Sequence, residues 1–126
     1  MATIRVELAA EFMFGDDVVL VAMDGDGVAG FASALEEARR HGTWRLERGG
    51  VTHEFFIESD HSDIELHEAR VVWRLGLCKA GELIDALNVL GDGNGPGHQY
   101  VDISTPTDTL VLSRDEYVGQ VLDNTA

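Results

Sequence analysis

Four residues spaced by two, His61, Asp63, Glu65 and His67, are of types that could hold a metal ion. In an extended strand alternate side chains project from one face, so these four would line one side while Ile64 and Leu66 point to the other. Imidazole and carboxylate both suit zinc and similar divalent ions. A flat strand is a poor tetrahedral cage, however, and His53 on a neighbouring hairpin is the obvious recruit. The metal set read from the sequence is therefore His53, His61 and His67, with a solvated polar face as the competing reading.

Other segments resemble chemical motifs less closely. Asp24-Gly25-Asp26-Gly27 opens like a calcium loop, but the twelfth position is Leu35 where a bidentate glutamate belongs, so an N-cap and a turn explain both aspartates. The glycine-rich loop 91–97 lacks the lysine of a phosphate-binding loop and leads into a strand. His98, Tyr100 and Asp102 alternate onto one strand face, which invites a general-base reading, yet the sequence places no serine or cysteine beside them. Cys78 falls near a helix N-terminus, where the dipole favours a thiolate nucleophile; the competing reading is a small buried or capping residue. Together these suggest a pocket for a small molecule or divalent metal lined by His53, His61, His67, His98 and Tyr100.

The elements that must position these residues occur in a pattern that repeats. Residues 18–38 and 70–90 superpose without a gap: Val19 on Val71, Val21 on Trp73, Met23 on Leu75, then Val28, Phe31, Ala32, Leu35 and Ala38 on Ala80, Leu83, Ile84, Leu87 and Leu90. Apolar alternation predicts strands from Ile4 and over 18–23, then a helix capped by Asp26 and stopped at Gly42. Gly49-Gly50 joins strands 43–48 and 51–58 as a hairpin. The second half predicts strands over 63–67 and 70–76, a helix over 79–90, and strands near 98–103 and 109–112. Ser113 with Glu116 reads as a capping box opening a short final helix through Leu122. Trp44, Trp73, Phe55, Phe56 and Tyr100 are expected in the core, and Arg74 is expected either to reach a carboxylate such as Glu65 or to sit on the open face of a sheet. The predicted class is α+β, a mainly antiparallel sheet with two amphipathic helices, arranged as two ββαββ repeats (1–59 and 60–126) within one domain.

Charge narrows the function. Nine Lys and Arg stand against 23 Asp and Glu, giving −14, and the excess is spread over both halves, 5 minus 13 in residues 1–63 and 4 minus 10 in residues 64–126. Such a field repels nucleic acid and anionic lipid and speeds encounter with a cationic partner. A single cysteine rules out an internal disulfide, and neither a signal-like N-terminus nor a bilayer-length apolar run is present, so the expectation is a soluble, cytoplasmic protein.

The segments VVWRL at 71–75, GPGHQYVD at 95–102 and LVLSRDEY at 110–117 resemble those of small acidic bacterial proteins grouped as predicted immunity proteins of polymorphic toxin systems. The resemblance covers the second half and implies a non-enzymatic protein, without cofactor, that binds and blocks a cognate toxin. It transfers no site residue. The residues themselves predict that a basic protein partner is met by carboxylates, with Asp60, Asp63, Glu65, Asp92 and Asp102 as contacts. A homodimer paired through exposed strand edges is a further alternative.

Overall fold

Strand propensity and burial decide which strands occupy the middle of a sheet. The computed structural model describes residues 3–13, 15–93 and 95–116. In chain order it contains β1 (Ile4–Met13), β2 (Asp16–Met23), α1 (Gly25–His41), β3 (Thr43–Arg48), β4 (Val51–Ile57), β5 (Ser62–Leu66), β6 (Arg70–Leu75), α2 (Leu77–Asp92), β7 (Gly97–Asp102) and β8 (Thr109–Arg114). This is an α+β fold in which the order ββαββ occurs twice.

The strands form two four-stranded sheets, ordered β1-β2-β8-β7 and β3-β4-β6-β5. In each, two antiparallel hairpins meet along a parallel pair, β2 with β8 and β4 with β6. The sequence reading of a mainly antiparallel arrangement holds for the hairpins and misses these central pairs. Strands buried on both faces belong at the centre. β2 is buried from Val18 through Met23, and β8 from Leu110 through Ser113. Exchanging β1–β4 for β5–β8 turns one sheet into the other, so each sheet takes its first hairpin from one half and its second from the other.

The helices run in opposite directions across the inner faces of both sheets, Val28 lying against Gly91 and Arg39 against Gly81. One apolar core results, uniting Val19, Val21, Phe31, Leu35, Phe55, Trp73, Leu83, Leu87, Leu110 and Leu112. At its centre Phe31 meets Trp73 edge-on with ring centroids 5.0 Å apart, and Phe55 stacks on Trp73 at 5.8 Å. A smaller cluster of Ala9, Val18, Leu20 and Val111, joined by Phe12, occupies the other face of the first sheet.

Several local expectations change. Asp24, not Asp26, caps α1: its backbone is extended and its Oδ1 accepts from the N–H groups of Gly27 (2.7 Å) and Thr3 (3.0 Å). Burial alone would raise this carboxyl, but the hydrogen bonds outweigh it and hold its pKa below the ordinary value. Gly27 is fixed by the same junction, because a Cβ there would overlap the carbonyl oxygen of Thr3. Ser113 does not open a helix. It lies in β8, fully buried, with its hydroxyl donating to the Val21 carbonyl at 3.2 Å. The rest of the expected final helix, 117–122, lies outside the described residues. Trp44 and Tyr100 are 39% and 54% exposed, because the strands carrying them, β3 and β7, are sheet edges.

Candidate functional site

All nine cationic side chains of the chain fall within the described residues. Eight hold a carboxylate within ion-pair distance, and Arg48 donates to the Glu47 carbonyl at 2.9 Å. Arg74 is typical: Nε donates to Glu65 at 2.9 Å and Nη1 to Glu58 at 3.0 Å, with its guanidinium over the Phe56 ring. Hydrogen bonding from Arg74, then from His67, holds the Glu65 carboxyl below its usual range, and the same bond raises Arg74. Of the two readings of Arg74, the reach to Glu65 is the one present, and it takes Glu65 out of the set of open carboxylates.

Six aspartates without a cationic neighbour lie around one loop and the strands beside it. The loop 103–108 joins β7 to β8 and closes on itself through Ile103 N–H to the Asp108 carbonyl, 3.0 Å. On one flank it is stitched to β5: Ser104 N–H donates to the Ser62 carbonyl, Ile64 N–H donates to the Thr105 carbonyl, and the Thr105 hydroxyl donates to Asp63 Oδ1 at 3.2 Å. On the other flank, Pro106 to Thr109 face Gly15, Asp16 and Asp17 across a polar groove of about 400 Å³. Asp60, Asp63, Asp102, Asp108, Asp16 and Asp17 therefore follow one another along the loop and its neighbours. Among the described residues none of the six has a cationic side chain within ion-pair distance.

Beside this rim, where the β4–β5 turn meets the start of α2, lies a cleft of about 440 Å³ lined by Ile57, Ser59, Asp60, His61, Ser62, Gly76, Leu77, Cys78 and Lys79. Its walls are held by backbone bonds: Ile57 N–H to Gly42, Glu58 N–H to Leu75 and Gly76 N–H to His61. Leu77 is 59% exposed at its edge. Cys78 is exposed as well, and α2 is capped by Gly76 without any side-chain bond, so the buried or capping reading of Cys78 fails. Lys79 donates to Glu82 at 2.8 Å and to the Asp102 carbonyl at 2.6 Å.

Of the five predicted contacts, Asp60, Asp63 and Asp102 lie on the rim. Glu65 is tied to Arg74, and Asp92 ends α2 on the far side, about 24 Å from the cleft at 1.5 Å per residue. Asp16, Asp17 and Asp108 were not singled out from the sequence, and the approach of the two loops is tertiary.

The histidines do not assemble. His53 projects from β4 into the core, 1% exposed, its Nδ1 accepting from Trp73 Nε1 at 3.5 Å. Burial, and secondarily Arg48, lower its pKa to about 4. His61 and His67 flank β5 at opposite ends, some six extended residues or about 20 Å apart, each beside a glutamate, Glu58 and Glu65. His98 and Tyr100 pack edge-to-face at 5.1 Å on β7, in the other sheet, with His98 3.1 Å from Glu116. Among the described residues no group of three or more His, Cys, Asp or Glu side chains is placed to hold a metal ion. The pocket expected from His53, His61, His67, His98 and Tyr100 is absent, because its members face the core, one sheet edge and the opposite sheet.

No family model matches the chain, and no curated protein matches it. Among solved structures it is similar to the crystal structure of Drosophila Suppressor of Fused, with a TM-score of 0.52 and 8% identity over 79% of this chain and 24% of that one. The likeness is one of fold, and this chain spans about a quarter of that protein's length. No helix among the described residues is long and apolar enough to cross a membrane.

Proposed function

We propose that this chain is a small acidic interaction protein that docks a basic protein partner on the carboxylate rim, and that it acts as an immunity protein, blocking a toxin by covering it rather than by chemistry. The observation that carries the reading is the separation of charge: the cations are committed to local partners, while six aspartates around one loop have no cationic side chain within ion-pair distance. Clustered carboxylates of this kind focus the field, speed association and make it sensitive to salt. The partial resemblance of the second half to predicted immunity proteins supplies the class of partner.

The test compares the chain with a variant carrying asparagine at Asp16, Asp17, Asp60, Asp63, Asp102 and Asp108, each immobilised and exposed to lysate of the native host. A basic protein captured by the first, weakened by salt and lost on the second is the expected result. That protein should stop growth when expressed alone and be silenced by co-expression of the chain. Equal capture by both forms would refute the rim, and a harmless captured protein would refute the immunity role.

A further inference from the structure

We infer that the cleft at the start of α2 is the anchor point of the rim, receiving one large apolar side chain of the basic partner, an aromatic flanked by lysine or arginine; this rests on the interaction reading above. Three observations lead here. The cleft and the rim are continuous: Asp60 and Ser62 belong to both, and the Ser62 hydroxyl lies 2.8 Å from that of Ser104 in the rim loop. The cleft has apolar walls in Ile57 and Leu77, and Leu77 is 59% exposed, far more than a leucine needs to be at a helix start. Its position is fixed, since backbone bonds tie Ile57 to Gly42 and Gly76 to His61, so a partner would not have to order it.

Charge decides the occupant. Lys79, the cation in the lining, has its ammonium on Glu82 and the Asp102 carbonyl, while Asp60 opens onto the rim, so a cationic segment is complementary on the rim side and an apolar group on the cleft side. Interfaces concentrate their affinity in such pockets, where an aromatic anchor is surrounded by polar contacts that set orientation and rate. A volume of about 440 Å³ has ample room for one large side chain.

Two synthetic peptides test this, Lys-Arg-Lys-Phe-Lys-Arg-Lys and its counterpart with alanine in place of phenylalanine, with affinity measured by calorimetry. The phenylalanine peptide should bind roughly tenfold more tightly, which is the scale of a single anchor residue. It alone should slow alkylation of Cys78 by iodoacetamide. Leu77→Ser, a change at an exposed position, should reduce the tenfold difference to near one while leaving the alanine peptide unaffected; the six-asparagine variant should weaken both. Equal binding of the two peptides, still weakened by the six-asparagine variant, would overturn the anchor and leave the rim standing. Binding that ignores that variant, or no binding of either peptide, would overturn both.

Discussion

His53 is neutral in the folded chain because burial, and secondarily Arg48, disfavours its charged form; one ring nitrogen accepts from Trp73 and the other, buried, has no partner among the described residues. An unfolded histidine takes up its proton near pH 6.5, whereas this one resists until about 4, so between those values the unfolded state binds more protons. Stability is therefore complete above pH 6.5 and lost as pH falls toward 4, by about 3 kcal/mol at most. Urea denaturation at several pH values should show that decline, and His53→Gln, which keeps an acceptor for Trp73, should flatten it. A wild-type profile already flat between pH 6.5 and 4.5 would show that His53 is not buried as described. At Gly27 the constraint is steric. Gly27→Ala should cost about 2 kcal/mol or more, because the Thr3 strand must move away from α1, and the denaturation midpoint reads that directly.

At the scale of elements, α2 ends without a basic residue in its last turn, and its terminal carbonyls are met from another strand. Arg114 of β8 donates to the carbonyls of Leu90 (2.9 Å), Gly91 (3.4 Å) and Gly93 (2.9 Å). These are the groups that a helix cannot satisfy internally, and a guanidinium also suits the negative end of the dipole. Arg114→Ala should destabilise by about 2 kcal/mol and speed amide exchange in the last turn of α2, with Arg114→Lys recovering only part of it. The repeating order of strands and helices was legible in the sequence because apolar period is a local property. Gly42 and Gly49-Gly50 marked true boundaries for the same reason. The parallel pairs were not legible, since Val19 meets Leu110 and His53 meets Val71 only after distant segments fold back. The site divides along the same line. Asp60, Asp63 and Asp102 could be picked out as open acids, while the capture of Glu65 by Arg74 was one of two readings of that arginine, and the arrival of Asp108 beside Asp16 had no local sign.

For the whole molecule, the exchange of hairpins between halves means that neither half contains a complete sheet. Fragments 1–59 and 60–126, made separately, should lack a cooperative unfolding transition, and mixing them should restore one in calorimetry. A monomeric 1–59 that melts cooperatively would contradict the exchanged arrangement. The charge of −14 acts at the same scale. Self-repulsion opposes the compact state and is screened within about 10 Å at 0.1 M salt, so the melting temperature should rise between 0.01 and 0.15 M sodium chloride and the six-asparagine variant should rise less.

The pairing of β2 with β8 has a consequence for how the chain is made. The Val21 carbonyl and the Ser113 hydroxyl that meets it are 92 positions apart. During translation β2, with two greasy faces, must wait with one long edge unmatched until β8 has been synthesised. Contacts of such separation are slow to form and leave a nascent chain prone to sticking to its neighbours. Glu7 and Glu11 on β1, with Asp16 and Asp17 at the start of β2, sit where charged gatekeepers discourage that fate. Asp16 and Asp17, proposed to greet a partner in the finished protein, would then first serve to keep the unfinished one apart from its own kind.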